Sequence, residues 1–193
     1  MTFWIIFCMI LGYLIGALPF AVIISQIRGV DIRRVGTKNP GAANVFRNVG
    51  KFKGILVWLL DTLKGVAIMA IGDKVFNIHP FWVVMCGMAA VIGHCWSCFL
   101  KFEGGRGAST AGGVLFYIVP KVAVYAIVFF FLLQIKKLRT GWTTLIGVSV
   151  FGCLCWLFYR AEGVWLLWAM LILVGLGTII NIPTIKELSS KKG

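Results

Sequence analysis

Two short stretches of this chain gather small residues, hydrogen-bond donors and an arginine. The first reads Gly36-Thr37-Lys38-Asn39-Pro40-Gly41-Ala42-Ala43-Asn44-Val45-Phe46-Arg47. Glycine and alanine let a backbone approach a ligand closely, Thr37, Asn39 and Asn44 offer hydrogen bonds, and Arg47 offers a planar fork that matches phosphate. The second is Gly104-Gly105-Arg106-Gly107, at the head of an apolar run. Backbone N–H groups, the positive end of a helix and one arginine make an anion site. Neither stretch is a P-loop, which needs Gly-Lys-Ser/Thr after four intervening residues, nor a GxGxxG fingerprint. The plainer reading is of basic loops resting on anionic lipid headgroups. Two glycine-rich basic loops in one chain favour a phosphorylated ligand over that reading.

Three ionisable side chains stand in or beside apolar runs. Asp61 and Lys64 are three residues apart, so on a helix they share a face and neutralise each other. An internal ion pair that fixes helix packing competes here with a catalytic role. Gly65 follows and permits close approach. His94 lies twelve residues before Arg106. A buried histidine bonded to a carbonyl competes with a site residue that titrates near neutral pH. No histidine is followed five positions later by Asp, and no Gly-x-Ser-x-Gly occurs. His79 and His94 stand apart, no metal-ligand cluster is visible, and no cofactor is expected. Cys95-Trp96-Ser97-Cys98 has the spacing of a redox dithiol. Such enzymes need a second exposed pair, and Cys153 and Cys155 fall in the middle of an apolar run.

The elements that must position these residues are membrane helices. Hydrophobic residues make up 60% of the 193 and charged residues 13%, against roughly 45–50% and about 25% in soluble proteins. The apolar excess comes in long blocks between short basic patches. That excludes a disordered chain, a collagen-like repeat and a small disulfide scaffold. The expected fold is all-α: a polytopic membrane helical bundle, with residues 1–193 forming one integral-membrane domain. The net charge of +13 then points to anionic lipid headgroups and phosphorylated substrates rather than nucleic acid. The six cysteines, all in apolar stretches, read as small packing residues, not as a sign of an oxidising compartment.

Spans are expected at about residues 2–27, 54–72, 80–100, 142–159 and 163–181. The first has no basic residues before it and several after it, so it reads as a retained helix with its N-terminus outside. Gly12 and Gly16 give it a small-residue packing face, and Pro19 frees a carbonyl that neighbouring helices must satisfy. Residues 108–135 form one helix or two short ones broken at Pro120-Lys121. Charge decides between them. With seven spans, the cytoplasmic side holds Arg28, Arg33, Arg34, Lys38, Arg47, Lys51, Lys53, Lys101, Arg106, Lys136, Lys137, Arg139, Lys186, Lys191 and Lys192, which is fifteen, and the outside holds Lys74, Lys121 and Arg160, which is three. Six spans give ten against seven. The positive-inside rule favours seven, some of them short, with the C-terminus cytoplasmic and both glycine-rich loops on the cytoplasmic face of a bacterial-type plasma membrane.

The motifs resemble one family in order and spacing. Gly16-Ala17-Leu18-Pro19-Phe20, Asp31-Ile32-Arg33, the stretch from Gly36 to Arg47, Asp61-x-x-Lys64-Gly65, and Gly93-His94 through Gly107 are similar to the small integral-membrane glycerol-3-phosphate acyltransferases that use acyl phosphate as donor. The first family signature is close to G-S-G-N-x-G-A-T-N-V-x-R, with Thr37, Lys38 and Ala43 here in place of Ser, Gly and Thr. The later one is close to G-H-x-F-P-x-F-L-x-F-x-G-G-K-G, with Trp96, Ser97 and Arg106 in place of Phe, Pro and Lys. Towards the end, Asn181-Ile182 matches a closing His-x-x-Asn-Ile, with Thr178 in place of its histidine. The resemblance implies acyl transfer from acyl phosphate to glycerol 3-phosphate, giving lysophosphatidic acid for phospholipid synthesis. It implies phosphate contacts from Thr37, Asn39, Asn44, Arg47, Gly104, Gly105, Arg106 and Gly107. It makes His94 an orienting group or base, and Asp61, Lys64 and Asn181 supporting residues. The readings that compete with it are a carrier or flippase for a phosphorylated lipid and a thiol-redox protein using Cys95 and Cys98. The sequence leaves the oligomeric state open.

Overall fold

The computed structural model describes residues 2–125. Among them every regular element is helical: α1 Thr2–Ala17, α2 Phe20–Gln26, α3 Ala42–Asn48, α4 Lys51–Ala70, α5 Pro80–Cys95 and α6 Ala108–Ile118, with a π turn at Ile71–Val75 and a 3₁₀ turn at Cys98–Leu100. Three helical runs are long and apolar enough to cross a membrane: Thr2–Gln26 and Lys51–Val75, 25 residues each, and Pro80–Leu100, 21 residues. At 1.5 Å per residue they reach roughly 32–38 Å, which exceeds the ~30 Å hydrocarbon core. They fall where the first three spans are expected.

The residues are sorted as lipid demands rather than as water does. On α1 the large side chains Phe3, Ile6, Phe7, Ile10 and Leu14 face outward, while Cys8, Gly12, Gly16 and Ala17 are buried. Small residues inside let helix backbones touch, which is the main packing gain where the surroundings are as apolar as leucine. The expected Gly12 and Gly16 face packs on α5: a Cβ on Gly12 would sit 2.6 Å from the Cys86 carbonyl, and one on Gly16 would strike the Ala90 backbone. The contact between α4 and α6 is built the same way, with Gly65 against the Thr110 carbonyl and Gly113 against the Thr62 carbonyl. On α4 the buried positions Gly54, Val57, Asp61, Lys64, Gly65 and Ile68 form one stripe at helical spacing, so both charges point inward.

Two helix boundaries depend on proline. The first span is interrupted: α1 stops at Ala17 and α2 resumes at Phe20, with Leu18 and Pro19 between them. Side chains from α4 and from the turn after α5 take up the exposed carbonyls. The Ser97 hydroxyl donates to the Ala17 carbonyl at 2.6 Å, and the Lys64 ammonium donates to the Leu18 carbonyl at 3.2 Å. A broken helix is tolerated at membrane depth only with such partners. The second boundary ends α6. Its 11 residues stop at Ile118, and Val119 leaves the helical conformation (φ −133°, ψ 63°) because the residue before a proline is pushed out of the α region. The helix is roughly 17 Å long, too short to cross the membrane unaided, and the interruption lies at Val119, with helix resuming at Pro120, next to the break at Pro120-Lys121 that the two-helix reading expects. The expected spans at 142–159 and 163–181, with Cys153, Cys155, Thr178 and Asn181, lie outside the described residues.

Candidate active site

The interruption of the first span opens a cleft. Leu18 and Pro19 line it together with Pro40 from the first glycine-rich loop, Asp61, His94, Ser97 and Gly105. Residues far apart in sequence thus meet at one concavity, and the two loops singled out by their composition both reach it.

Three ionisable groups lie beneath it. The side chains of Asp61, Lys64 and His94 are 2%, 3% and 7% exposed. Lys64 Nζ is 2.8 Å from Asp61 Oδ1, so the expected ion pair is present. His94 Nδ1 is 3.6 Å from the same oxygen. Lys64 also stands 5.7 Å from the centre of the Phe20 ring, a favourable place for a cation. Helix geometry places Asp61 and Lys64 on one face of α4, and His94 arrives one residue before the end of α5.

The Gly104–Gly107 segment is strapped to the end of α5. Gly104 N–H donates to the Cys95 carbonyl and Gly105 N–H to the His94 carbonyl, both at 2.9 Å. These two N–H groups hold the loop against the end of α5. The Arg106 and Gly107 N–H groups take no backbone partner among the described residues. Gly107 caps α6 with φ +73°, a left-handed conformation suited to glycine. Gly105 is pressed against the imidazole, so that a Cβ there would strike His94 Nε2.

Asn44 holds the other loop together. Its amide nitrogen donates to the carbonyls of Ile32, Val35 and Asn39 at 3.0–3.1 Å. Its amide oxygen accepts from Thr37 N–H at 3.1 Å and from the Asn48 amide at 2.8 Å. The side chain is buried and its amide is engaged within the loop, which it shapes. Gly36 turns the backbone at φ +57° beside Asn44 and Asn48. At the loop entrance, hydrogen bonds from the Arg33 side chain and N–H hold the Asp31 carboxyl below the usual carboxylate range. Thr37 and Arg47 are exposed and Asn39 is half-buried.

Among the described residues, Asp31 pairs with Arg33 and Arg34, Asp61 with Lys64, and Asp73 with Lys74. Arg47 and Arg106 have no carboxylate partner among the described residues. Asn181 lies outside the described residues. Leu18, Pro40 and Ser97 were not singled out as site residues; Ser97 carries no sequence signal, because its partner is eighty positions away. Cys95 is buried and Cys98 exposed, both as free thiols.

A model of the glycerol-3-phosphate acyltransferase family matches residues 6–188. The chain belongs to this family. Within the family, it is 42% identical over 121 residues to the glycerol-3-phosphate acyltransferase of Aquifex aeolicus, a match covering 63% of each chain. It is 43% identical over 120 residues to glycerol-3-phosphate acyltransferase 1 of Deinococcus radiodurans, covering 62% of this chain and 60% of that one. A third relative, glycerol-3-phosphate acyltransferase 2 of Dehalococcoides mccartyi, is 34% identical over 193 residues, covering 98% of this chain and 89% of its own. Two crystal structures of PlsY (YgiH), an integral membrane glycerol 3-phosphate acyltransferase, share the fold. The glycerol 3-phosphate form has a TM-score of 0.81 at 32% identity and the lysophosphatidic acid form 0.80 at 31%, each covering 97% of this chain and 92% of that one. The likeness that the sequence motifs carry is therefore present in the fold, and this family member places its motif residues His94 and Gly105 at one cleft.

Proposed function

We propose that this protein transfers a fatty acyl group from acyl phosphate to a hydroxyl of glycerol 3-phosphate, releasing lysophosphatidic acid and inorganic phosphate. The carrying observation is the likeness, over 97% of the chain, to PlsY in both its glycerol 3-phosphate and its lysophosphatidic acid forms, the acceptor and product of one acyl transfer. The hydroxyl oxygen bonds to the acyl carbonyl carbon, and the bond from that carbon to the phosphate oxygen breaks. The hydroxyl proton leaves with the phosphate. A mixed anhydride has a good leaving group, so His94 orients the hydroxyl and is not an obligatory base.

The reaction brings two polyanions together, and cations and fixed donors must offset their repulsion. Arg47 and Arg106, unpaired among the described residues, supply that charge together with the Arg106 and Gly107 N–H groups, Thr37 and Asn39. The acyl chain lies along the apolar surface beside the short α6. The protein is a seven-span membrane protein with its N-terminus outside and this cleft facing the cytoplasm; the fifteen-to-three distribution of basic residues supports that orientation.

Donor choice tests the reading. Purified protein with labelled glycerol 3-phosphate forms lysophosphatidic acid from acyl phosphate and not from an acyl thioester. The reverse preference, or movement of lysophosphatidic acid between leaflets with no synthesis, contradicts it.

A further inference from the structure

We propose that Asp61 is a positioning residue for His94, fixing the imidazole proton on Nδ1 and so presenting an unprotonated Nε2 to the cleft. The inference rests on the reading of His94 given above and extends it to α4. His94 Nδ1 faces Asp61 Oδ1 at 3.6 Å. On the opposite side of the ring, Nε2 faces Gly105, which lines the cleft. A carboxylate beside one ring nitrogen favours the tautomer that carries its proton there and leaves the other nitrogen as an acceptor. An acceptor is what a substrate hydroxyl requires.

Lys64 pairs with the carboxylate and holds it in place. It touches Asp61 Oδ1 at 2.8 Å and is itself anchored to the Leu18 carbonyl at 3.2 Å. Leu18 and Pro19 line the cleft. A single chain of contacts therefore runs from the interruption of the first span through Lys64 and Asp61 to the imidazole. An ion pair serving packing alone would not need its carboxylate shared with the histidine of the cleft.

The second histidine supplies an internal contrast. His79 Nδ1 accepts a hydrogen bond from Phe81 N–H at 3.3 Å, so His79 carries its proton on Nε2. The chain has 2 histidines, and ¹⁵N NMR of histidine-labelled protein distinguishes the two tautomers. The spectra are recorded at a pH at which the ¹⁵N shifts themselves show both imidazoles to be neutral. The expected result is His94 protonated on Nδ1 and His79 on Nε2, with Asp61→Asn moving His94 towards the Nε2–H form. Protonated Nε2 on His94 in the unmodified protein overturns the proposal.

Activity provides the second arm. Asp61→Asn/Lys64→Met removes both buried charges at once, which avoids leaving one unpaired. Its kcat falls at least about tenfold while KM for glycerol 3-phosphate holds; the thermal midpoint falls, because the Leu18 carbonyl loses its Lys64 donor, and adding His94→Asn causes no further loss of kcat. Full kcat in Asp61→Asn/Lys64→Met, beside an impaired His94→Asn, overturns the proposal while leaving the acyl-transfer reading intact. Full activity in His94→Asn contradicts the role of His94 itself, and with it the catalytic consequence drawn for Asp61.

Discussion

The Ser97 hydroxyl donates to the Ala17 carbonyl at 2.6 Å across eighty residues of sequence. That carbonyl belongs to the interruption between α1 and α2, where the helix withholds its own donors. The contact joins the broken first span to the turn after α5 and so fixes two parts of the cleft lining relative to each other.

Ser97→Ala should therefore cost about 1–3 kcal/mol, the penalty for leaving a buried acceptor unsatisfied. Ser97→Pro, which restores the residue of the family motif, suits the backbone, since φ at Ser97 is −69°. It removes the same hydroxyl, so its loss should match that of Ser97→Ala. Thermal denaturation in detergent measures both. An unchanged midpoint in Ser97→Ala means that the contact contributes nothing.

These residues also show what the sequence could reveal. Pro19 and Pro120 act on their own backbone, so a freed carbonyl in the first span and a candidate break near Pro120 were visible locally, although the first span was expected as one helix and is interrupted at Leu18 and Pro19. The small-residue face of Gly12 and Gly16 was visible because spacing sets a helix face. The partners of the exposed carbonyls were not, because Ser97 and Lys64 act across 80 and 46 residues and leave no local pattern. The engagement of Asn44 was hidden for a related reason. Its type announces hydrogen-bonding capacity, but only the folded loop shows that all of it is used internally. The same holds for Gly104 and Gly105, whose N–H groups are taken by the end of α5.

Gly105→Ala should separate fold from function. The added methyl would strike His94 Nε2 and displace the ring, while the strapping hydrogen bonds remain available. The expected result is a fall of at least about tenfold in kcat/KM, the order of a lost orienting group, with little change in thermal midpoint. Wild-type kcat/KM would mean that the imidazole does not act through that nitrogen.

The two arginines should differ in what they tolerate. Arg47→Ala and Arg106→Ala should each cost more than about 10²-fold in kcat/KM, roughly the 2.7 kcal/mol or more expected for a lost donor to a buried oxyanion. Arg106→Lys should be mild, because the resembled motif carries Lys there. Arg47→Lys should be severe, because a bidentate fork becomes a point charge. Steady-state kinetics read all four. Equal tolerance of lysine at both positions would reduce Arg47 to a source of charge.

Orientation is open to thiol labelling in intact cells, scored against the native cysteines as background. Lys121→Cys should react from outside and Lys137→Cys only from inside, as the seven-span charge distribution requires. Labelling of Lys137→Cys from outside restores six spans.

The most direct test of acyl transfer is its stoichiometry. Purified protein is given acyl phosphate and glycerol 3-phosphate, and inorganic phosphate and lysophosphatidic acid are followed together. The account predicts one phosphate released per lysophosphatidic acid formed, with neither appearing when either substrate is omitted. Phosphate release without glycerol 3-phosphate at the same rate, or lysophosphatidic acid without phosphate, would contradict it.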